Sequence, residues 1–230
     1  MASPQPADTI LLDVDGTLVD SSYHHALAWA RAFRRHDIDL PLWRVHRSIG
    51  MGGDTLVPFL TDDDVQERLG EQLKEDWVEE YKLMLDEVSP LEGAAELVQL
   101  LRDRGFKVAL ASSGETELTD DSVSKLGIAD LLTAKTSSSD AEHSKPAPDI
   151  FQAALDAAGG TRGIVVGDSI YDVQAATAMG ASCVCVRTGG FGVDELQAAG
   201  AVLVVDGPLE LLDADWSHLA SLAAAPASGE

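Results

Sequence analysis

Short apolar runs punctuate this chain at Thr9–Leu12, Lys107–Ala111, 163–166, Ser182–Val186 and 201–205. Each is too short for a helix and is bounded by turn residues, which predicts strands covered on both faces. Between the runs, apolar residues recur at helical spacing. Leu97, Val98 and Leu101 form a stripe that Gly105 ends; Ile150, Phe151, Ala154, Leu155 and Ala158 form another, ended by Gly159 and Gly160; Val173, Ala176 and Met179 form a third, closed by Gly180. Strands and helices alternating across short loops predict parallel βαβ units, and hence an α/β fold built on a doubly wound parallel sheet.

Residues 20–90 break that rhythm. They contain no convincing strand, while Tyr23, Leu27, Ala30 and Phe33, and then Val65, Leu69, Leu73, Trp77, Tyr81 and Met84, repeat at helical spacing. A helical cap domain over 20–90 is therefore expected, inserted into a Rossmann-like core made of 1–19 and 91–230. Ser89-Pro90 reads as the return linker, because the residue before a proline is pushed out of helical geometry. The tail from Asp213 onward holds some apolar residues but ends in Ala, Ser, Pro and Gly, and its end is expected to lack order.

A length of 230 residues suffices for one good core and a smaller accessory domain. The apolar runs fall far short of the roughly 18 residues of a membrane span, and no charged-then-apolar leader precedes Thr9, so a soluble cytoplasmic protein is expected. Asp and Glu number 39 against 16 Lys and Arg, a formal charge of −23. That field repels nucleic acid and anionic membranes alike, and neither is expected as a partner. It also opposes a small phosphorylated substrate unless a metal ion and a well-placed lysine supply local positive charge. Cys183 and Cys185 fall on one face of a strand and read as buried small residues, since no second cluster completes a metal site. A monomer or small homo-oligomer is expected.

The chemistry-bearing residues sit where strands stop. Asp13-Val14-Asp15-Gly16-Thr17 follows the first strand, at the usual place for a site in an open α/β sheet. Hydrolysis of a phosphate ester through an aspartyl intermediate needs a carboxylate nucleophile, an acid/base, a cation and donors for the phosphoryl oxygens. Asp13 and Asp15 supply two carboxylates, and Gly16 permits a tight turn with backbone amides close to an anion. Asp13 and Asp168 are hard oxygen donors suited to octahedral Mg²⁺, and Asp172, four residues after Asp168, can hold the ion directly or through water. Lys145 is the positive charge that steadies nucleophile and phosphoryl group. Ser112, at the end of the Lys107–Ala111 run, offers a hydroxyl with neighbouring amides. Singly, these segments read as an ordinary turn, a helix cap, a surface loop and a strand end. Their joint appearance in this order singles them out.

With these segments the chain resembles the haloacid dehalogenase-like hydrolase superfamily, which carries four motifs at successive strand ends: Asp13 through Thr17, Ser112, Lys145, and Gly167-Asp168 through Asp172. Lys145-Pro146-Ala147-Pro148-Asp149 and Leu18-Val19-Asp20-Ser21 are similar to its phosphoglycolate phosphatase and β-phosphoglucomutase branch. The resemblance implies that Asp13 attacks phosphorus, that Asp15 protonates the leaving oxygen and then activates water, and that Lys145 and Ser112 hold the phosphoryl group. It further implies that Asp13, the Asp15 carbonyl and Asp168 bind Mg²⁺ with Asp172 in support. Gly16, Thr17, Ser113 and Gly114, with Arg47 from the cap, are the candidate substrate-binding residues. Asp15 favours a phosphate over a haloacid, since dehalogenases generally lack this second aspartate.

In the cap, the glycine-rich stretch 49–54 stands near where β-phosphoglucomutase-like members carry a phosphate-binding arginine; Arg47 or Arg44 could replace it. Of His24, His25 and His46, one near the hinge could reach the substrate or assist Asp15. The expected activity is that of a Mg²⁺-dependent phosphatase of a small phosphorylated metabolite. The alternatives are a sugar phosphomutase, a phosphoacceptor signalling module, and a silent metal-binding α/β protein.

Overall fold

The computed structural model describes residues 5–222; the expectation for the end of the chain concerns residues outside that range. The core is a six-stranded, wholly parallel sheet in the order β3-β2-β1-β4-β5-β6. Its strands are β1 (Thr9–Leu12), β2 (Lys107–Ala111), β3 (Ala134–Thr136), β4 (Gly163–Gly167), β5 (Ser182–Val186) and β6 (Leu203–Val205). β1 is central, with Thr9 opposite Lys107 on one side and Gly163 on the other. Because the chain winds outward from β1 first through β2 and β3 and then back through β4, the sheet has its switch point at the C-terminal ends of β1 and β4.

Every residue of β1 is buried, which is why the strand is apolar throughout rather than alternating. Ile10 and Leu12 join one core layer with α5 (Ala94–Asp103) and Trp216 of α10 (Trp216–Leu222). Leu11 joins the opposite layer with α7 (Asp149–Ala157), α8 (Ile170–Ala178) and α9 (Val193–Ala199). α6 (Thr116–Leu126) follows β2 and closes on Gly127 in the left-handed region.

Two strands depart from the sequence reading. β3 carries no apolar run: it is three residues long and pairs only with β2 at the sheet edge, so its pattern is too short to register. β6 begins two residues later than the 201–205 run, because the Ala201 amide still closes α9 on the Leu196 carbonyl.

Helices α1 (Ser22–Arg35), α2 (Leu42–His46), α3 (Gly53–Leu60) and α4 (Asp63–Lys82) follow β1. The chain leaves and re-enters the core at one point: the Asp20 amide donates to the Ser89 carbonyl and the Leu91 amide to Leu18, each over 2.9 Å. Asp62 caps α4 by accepting from the Val65 amide. Along α4, Leu73, Trp77 and Tyr81 are buried, as their spacing predicts.

Along α1, Ala30 and Phe33 are buried and Leu27 half-buried, as their spacing predicts, but Tyr23 is 57% exposed, and His25 and Trp29 are buried with Ala26, Ala28 and Ala32. Alanines let the two helices approach closely, and aromatic rings then interlock: Trp29 stacks on Trp77 with centroids 5.2 Å apart, and His25 on Tyr81 at 3.9 Å.

Candidate active site

The Asp13 amide donates to the Val166 carbonyl over 2.9 Å, which carries the sheet register one residue beyond β1. Val14 then turns into the core, and its carbonyl accepts from the amides of Thr17, Leu18 and Val19 in a tight reversal. Gly16 makes this turn at φ +80°, and a Cβ there would collide with the Ser22 hydroxyl and the Asp168 carboxylate. The turn sends the two aspartates apart. Asp13 is buried, accepting from Lys145 Nζ at 2.5 Å and from the Thr17 hydroxyl at 3.0 Å. Asp15 points toward the helical insertion, where it accepts from the Ser21 hydroxyl at 2.7 Å and meets His25 Nε2 at 2.9 Å.

The second element is the β4–α8 junction. Ser169 and Asp172 form a capping box: the Asp172 amide donates to the Ser169 hydroxyl, and Asp172 Oδ2 takes the Ser169 amide. That leaves Asp172 Oδ1 to accept from Lys145 Nζ at 2.8 Å. Asp172 therefore fixes both the helix start and the lysine. Asp168 Oδ2 accepts from Ser22 at 3.2 Å, and the missing Cβ of Gly189 leaves room for its carboxylate.

Lys145 is 1% exposed, between two carboxylates and 5.3 Å from the Phe151 ring centroid. Burial alone would lower its ammonium pKa; Asp13 and Asp172 outweigh burial and hold it above its ordinary range. Burial raises the Asp13 carboxyl to about 7, with Lys145 opposing and Asp172 and Asp15 adding repulsion. Burial likewise pushes Asp168 well up, reinforced by Asp172 and Asp13. For Asp15 the balance reverses: burial would raise it, but His25, Ser21 and Lys145 leave it below its ordinary value.

Asp13, Asp168 and Asp172 each bring a carboxylate oxygen within 4.8 Å of the others. A buried cluster of three carboxylates, in which burial and neighbouring negative charge raise Asp13 and Asp168, is a fit for a hard divalent cation, and all its donors are oxygen. Asp172 gives both oxygens to the helix cap and Lys145, and Asp13 gives its own to Lys145 and Thr17, so Asp168, which accepts from Ser22 on one oxygen, is the least committed of the three.

At the end of β2, Ser112 is buried and its hydroxyl accepts from the Gly114 amide at 3.0 Å, while the buried Ser113 Oγ has no partner. Asp13, Asp15, Lys145, Ser113 and Gly114 line a cavity of about 250 Å³, roofed by residues of the helical insertion that include His25, Trp29 and Trp77. Gly16 and Thr17 support the floor: the Gly16 carbonyl accepts from Thr188 and Thr17 holds Asp13.

Arg47 lies elsewhere. Its guanidinium pairs with Glu195 at 2.7 Å and sits 4.1 Å above the Phe191 ring, off the cavity lining. Arg44 is exposed. His46 bonds the Gly189 carbonyl, His24 approaches Glu87 and His143 pairs with Asp149. Of the four insertion histidines, His25 alone reaches an aspartate of the site, His36 pairing with Asp76. Sequence reasoning gave no role to Ser21, Ser22 or Gly189. The Asp20-Ser21-Ser22 run was visible after the first motif, but only the turn at Gly16 shows that these hydroxyls fold back onto Asp15 and Asp168.

A sequence profile of the haloacid dehalogenase-like hydrolase family matches residues 7–180. A crystal structure of a hydrolase from Pseudomonas syringae superposes with a TM-score of 0.84 at 32% identity, over 92% of this chain and 97% of that one. The validoxylamine A 7'-phosphate phosphatase of Streptomyces hygroscopicus subsp. limoneus is 26% identical over 91% of this chain and 96% of its own length. The phosphoglycolate phosphatase of Nitrosococcus oceani is 28% identical over 81% and 87%. The chain belongs to the haloacid dehalogenase-like hydrolases, and it is similar in sequence to phosphoglycolate phosphatases among them. It is an enzyme of a family whose named relatives include phosphatases. Among the described residues, no helix is long and apolar enough to cross a membrane.

Proposed function

We propose that this protein is a Mg²⁺-dependent phosphatase that hydrolyses a small phosphorylated metabolite through an aspartyl phosphate on Asp13. The observation that carries this reading is the convergence of Asp13, Lys145, Asp168 and Asp172 at the base of one cavity, with Asp15 held by Ser21 and His25. The named phosphatases among its relatives support it.

In this reading an Asp13 oxygen attacks phosphorus as the bond to the leaving oxygen breaks, and that oxygen takes its proton from Asp15. Asp15, again a carboxylate, then removes a proton from the water that attacks phosphorus, releasing phosphate and restoring Asp13. His25 and Ser21 keep Asp15 ionised in the free site, ready for the second step; a phosphoryl group arriving beside it raises its pKa by like-charge repulsion and favours the protonated form needed for the first. Lys145 compensates charge on Asp13 and the phosphoryl oxygens, and Ser113 Oγ with the local amides donates to them. Mg²⁺ held by Asp13 and Asp168 would supply further positive charge there.

A phosphomutase needs a second phosphate clamp, and among the described residues no arginine lines the cavity. Turnover of an aryl phosphate tests the proposal. Activity should require Mg²⁺, stop with EDTA and vanish in Asp13→Asn; metal-independent activity, or an active Asp13→Asn, would contradict it.

A further inference from the structure

Beyond the aspartates and Lys145, the cavity lining carries its own chemical preference. Four carboxylates line it, Asp54, Glu71, Glu115 and Glu142, against the single ammonium of Lys74, which already sits 2.7 Å from Glu115. Lys145, the other cation of the lining, is committed to Asp13 and Asp172. A second phosphate or a carboxylate on the substrate would enter this region against repulsion, with no free cation to receive it.

The same region is prepared for hydroxyl groups. Trp77 is 7% exposed, lines the cavity and stacks against Trp29, and its buried Nε1 has no hydrogen-bond partner. The buried Oε1 of Gln66, also on the lining, is equally unpartnered. Buried polar atoms left unsatisfied in a binding cavity mark where ligand atoms complete the bonding. An indole N–H donor and, about three turns earlier on α4, an amide acceptor each match a hydroxyl, which both accepts and donates, and the indole rings match the C–H faces of a polyol ring.

We propose that the substrate is the phosphomonoester of a polyhydroxylated alcohol, a sugar or cyclitol, that carries no second anionic group. This rests on the phosphatase reading and narrows it. The glutamates and Asp54 repel a doubly anionic competitor, while Trp77 and Gln66 bind the hydroxyls of the leaving group.

Matched substrate pairs test it. The kcat/KM of a hexose monophosphate should exceed that of the corresponding bisphosphate by about tenfold or more, and glycerol phosphate should likewise exceed phosphoglycerate. Neutralising the repulsion in the double variant Glu71→Gln/Glu142→Gln should shrink both ratios by several-fold. Trp77→Phe, which keeps the ring but removes the N–H, should raise KM for the hexose monophosphate more than for an aryl phosphate. A bisphosphate or phosphoglycerate turned over as well as its singly charged partner, or ratios unmoved in the double variant, would overturn the inference. An aryl phosphate left intact with Mg²⁺ present would instead overturn the phosphatase reading and take the inference with it.

Discussion

Lys145 is the test case for how charge is arranged here. Lys145→Met removes the ammonium and keeps most of the stem, so packing against Phe151 changes little while Asp13 and Asp172 lose their common partner. Removing one partner of a fully buried ion pair costs about 3–5 kcal/mol, because the orphaned charge stays desolvated. With a urea dependence of about 3 kcal/mol/M for a chain of this size, the unfolding midpoint in EDTA should fall by about 1–1.7 M.

The loss should also depend on pH, and the carboxyl side sets its sign. Lys145 is held above its ordinary range, so its own ionisation is constant through neutral pH. Asp13 has a carboxyl pKa raised to about 7, so it is protonated in the native state well below that pH and ionised above it. A carboxyl whose folded pKa is raised costs stability as pH rises from its unfolded value toward the folded one, and without Lys145 that fall continues further. The destabilisation by Lys145→Met should therefore be small near about pH 5 and largest above about pH 7. Adding Asp172→Asn to the variant should recover part of the loss, with a coupling of about 1–3 kcal/mol. A loss below about 1 kcal/mol, or one equal at both pH values, would show that packing rather than charge compensation governs this site.

Two further substitutions probe the surrounding shell. His25→Asn removes the imidazole that holds Asp15 ionised for the attack of water, a step every substrate shares, and should lower kcat for alkyl and aryl phosphates alike by about tenfold or more at neutral pH; an unchanged kcat for both would remove His25 from the proton path. Gly189→Ala places a methyl against the Asp168 carboxylate, so the Mg²⁺ concentration for half-maximal activity should rise several-fold with little change in fold by circular dichroism; an unchanged metal requirement would take Asp168 out of the metal site.

Much of the sheet was legible because strands buried on both faces must be apolar throughout: β1, β2 and β5 coincide with apolar runs. β3 was not, since three residues at an edge bury too little to leave a pattern. In α1 the repeat of Leu27, Ala30 and Phe33 was legible, but Tyr23 satisfies it as well as His25 and Trp29 do. Only docking against Trp77 and Tyr81 of α4 decides between them, and that contact joins residues about fifty positions apart. Asp13 and Asp168 could be singled out because each stands where an apolar strand ends, and Lys145 and Asp172 because they follow in the order the chemistry needs. The lining contributed by the helical insertion could not, since it depends on how α1 and α4 pack over the sheet. Arg47 shows the same limit: its partner Glu195 lies on α9, at a distance no local pattern encodes.

The central claim is a covalent one, that Asp13 carries the phosphoryl group between two half-reactions. It is tested most directly by acid-quenching the Asp15→Ala variant during turnover of an aryl phosphate with Mg²⁺ and mapping its peptides by mass spectrometry. The account predicts one added phosphoryl group on the peptide containing Asp13, absent when Asp13 is replaced by Asn. Phosphate release by the enzyme with no phosphoryl group on that peptide, or with the group on another residue, would contradict it.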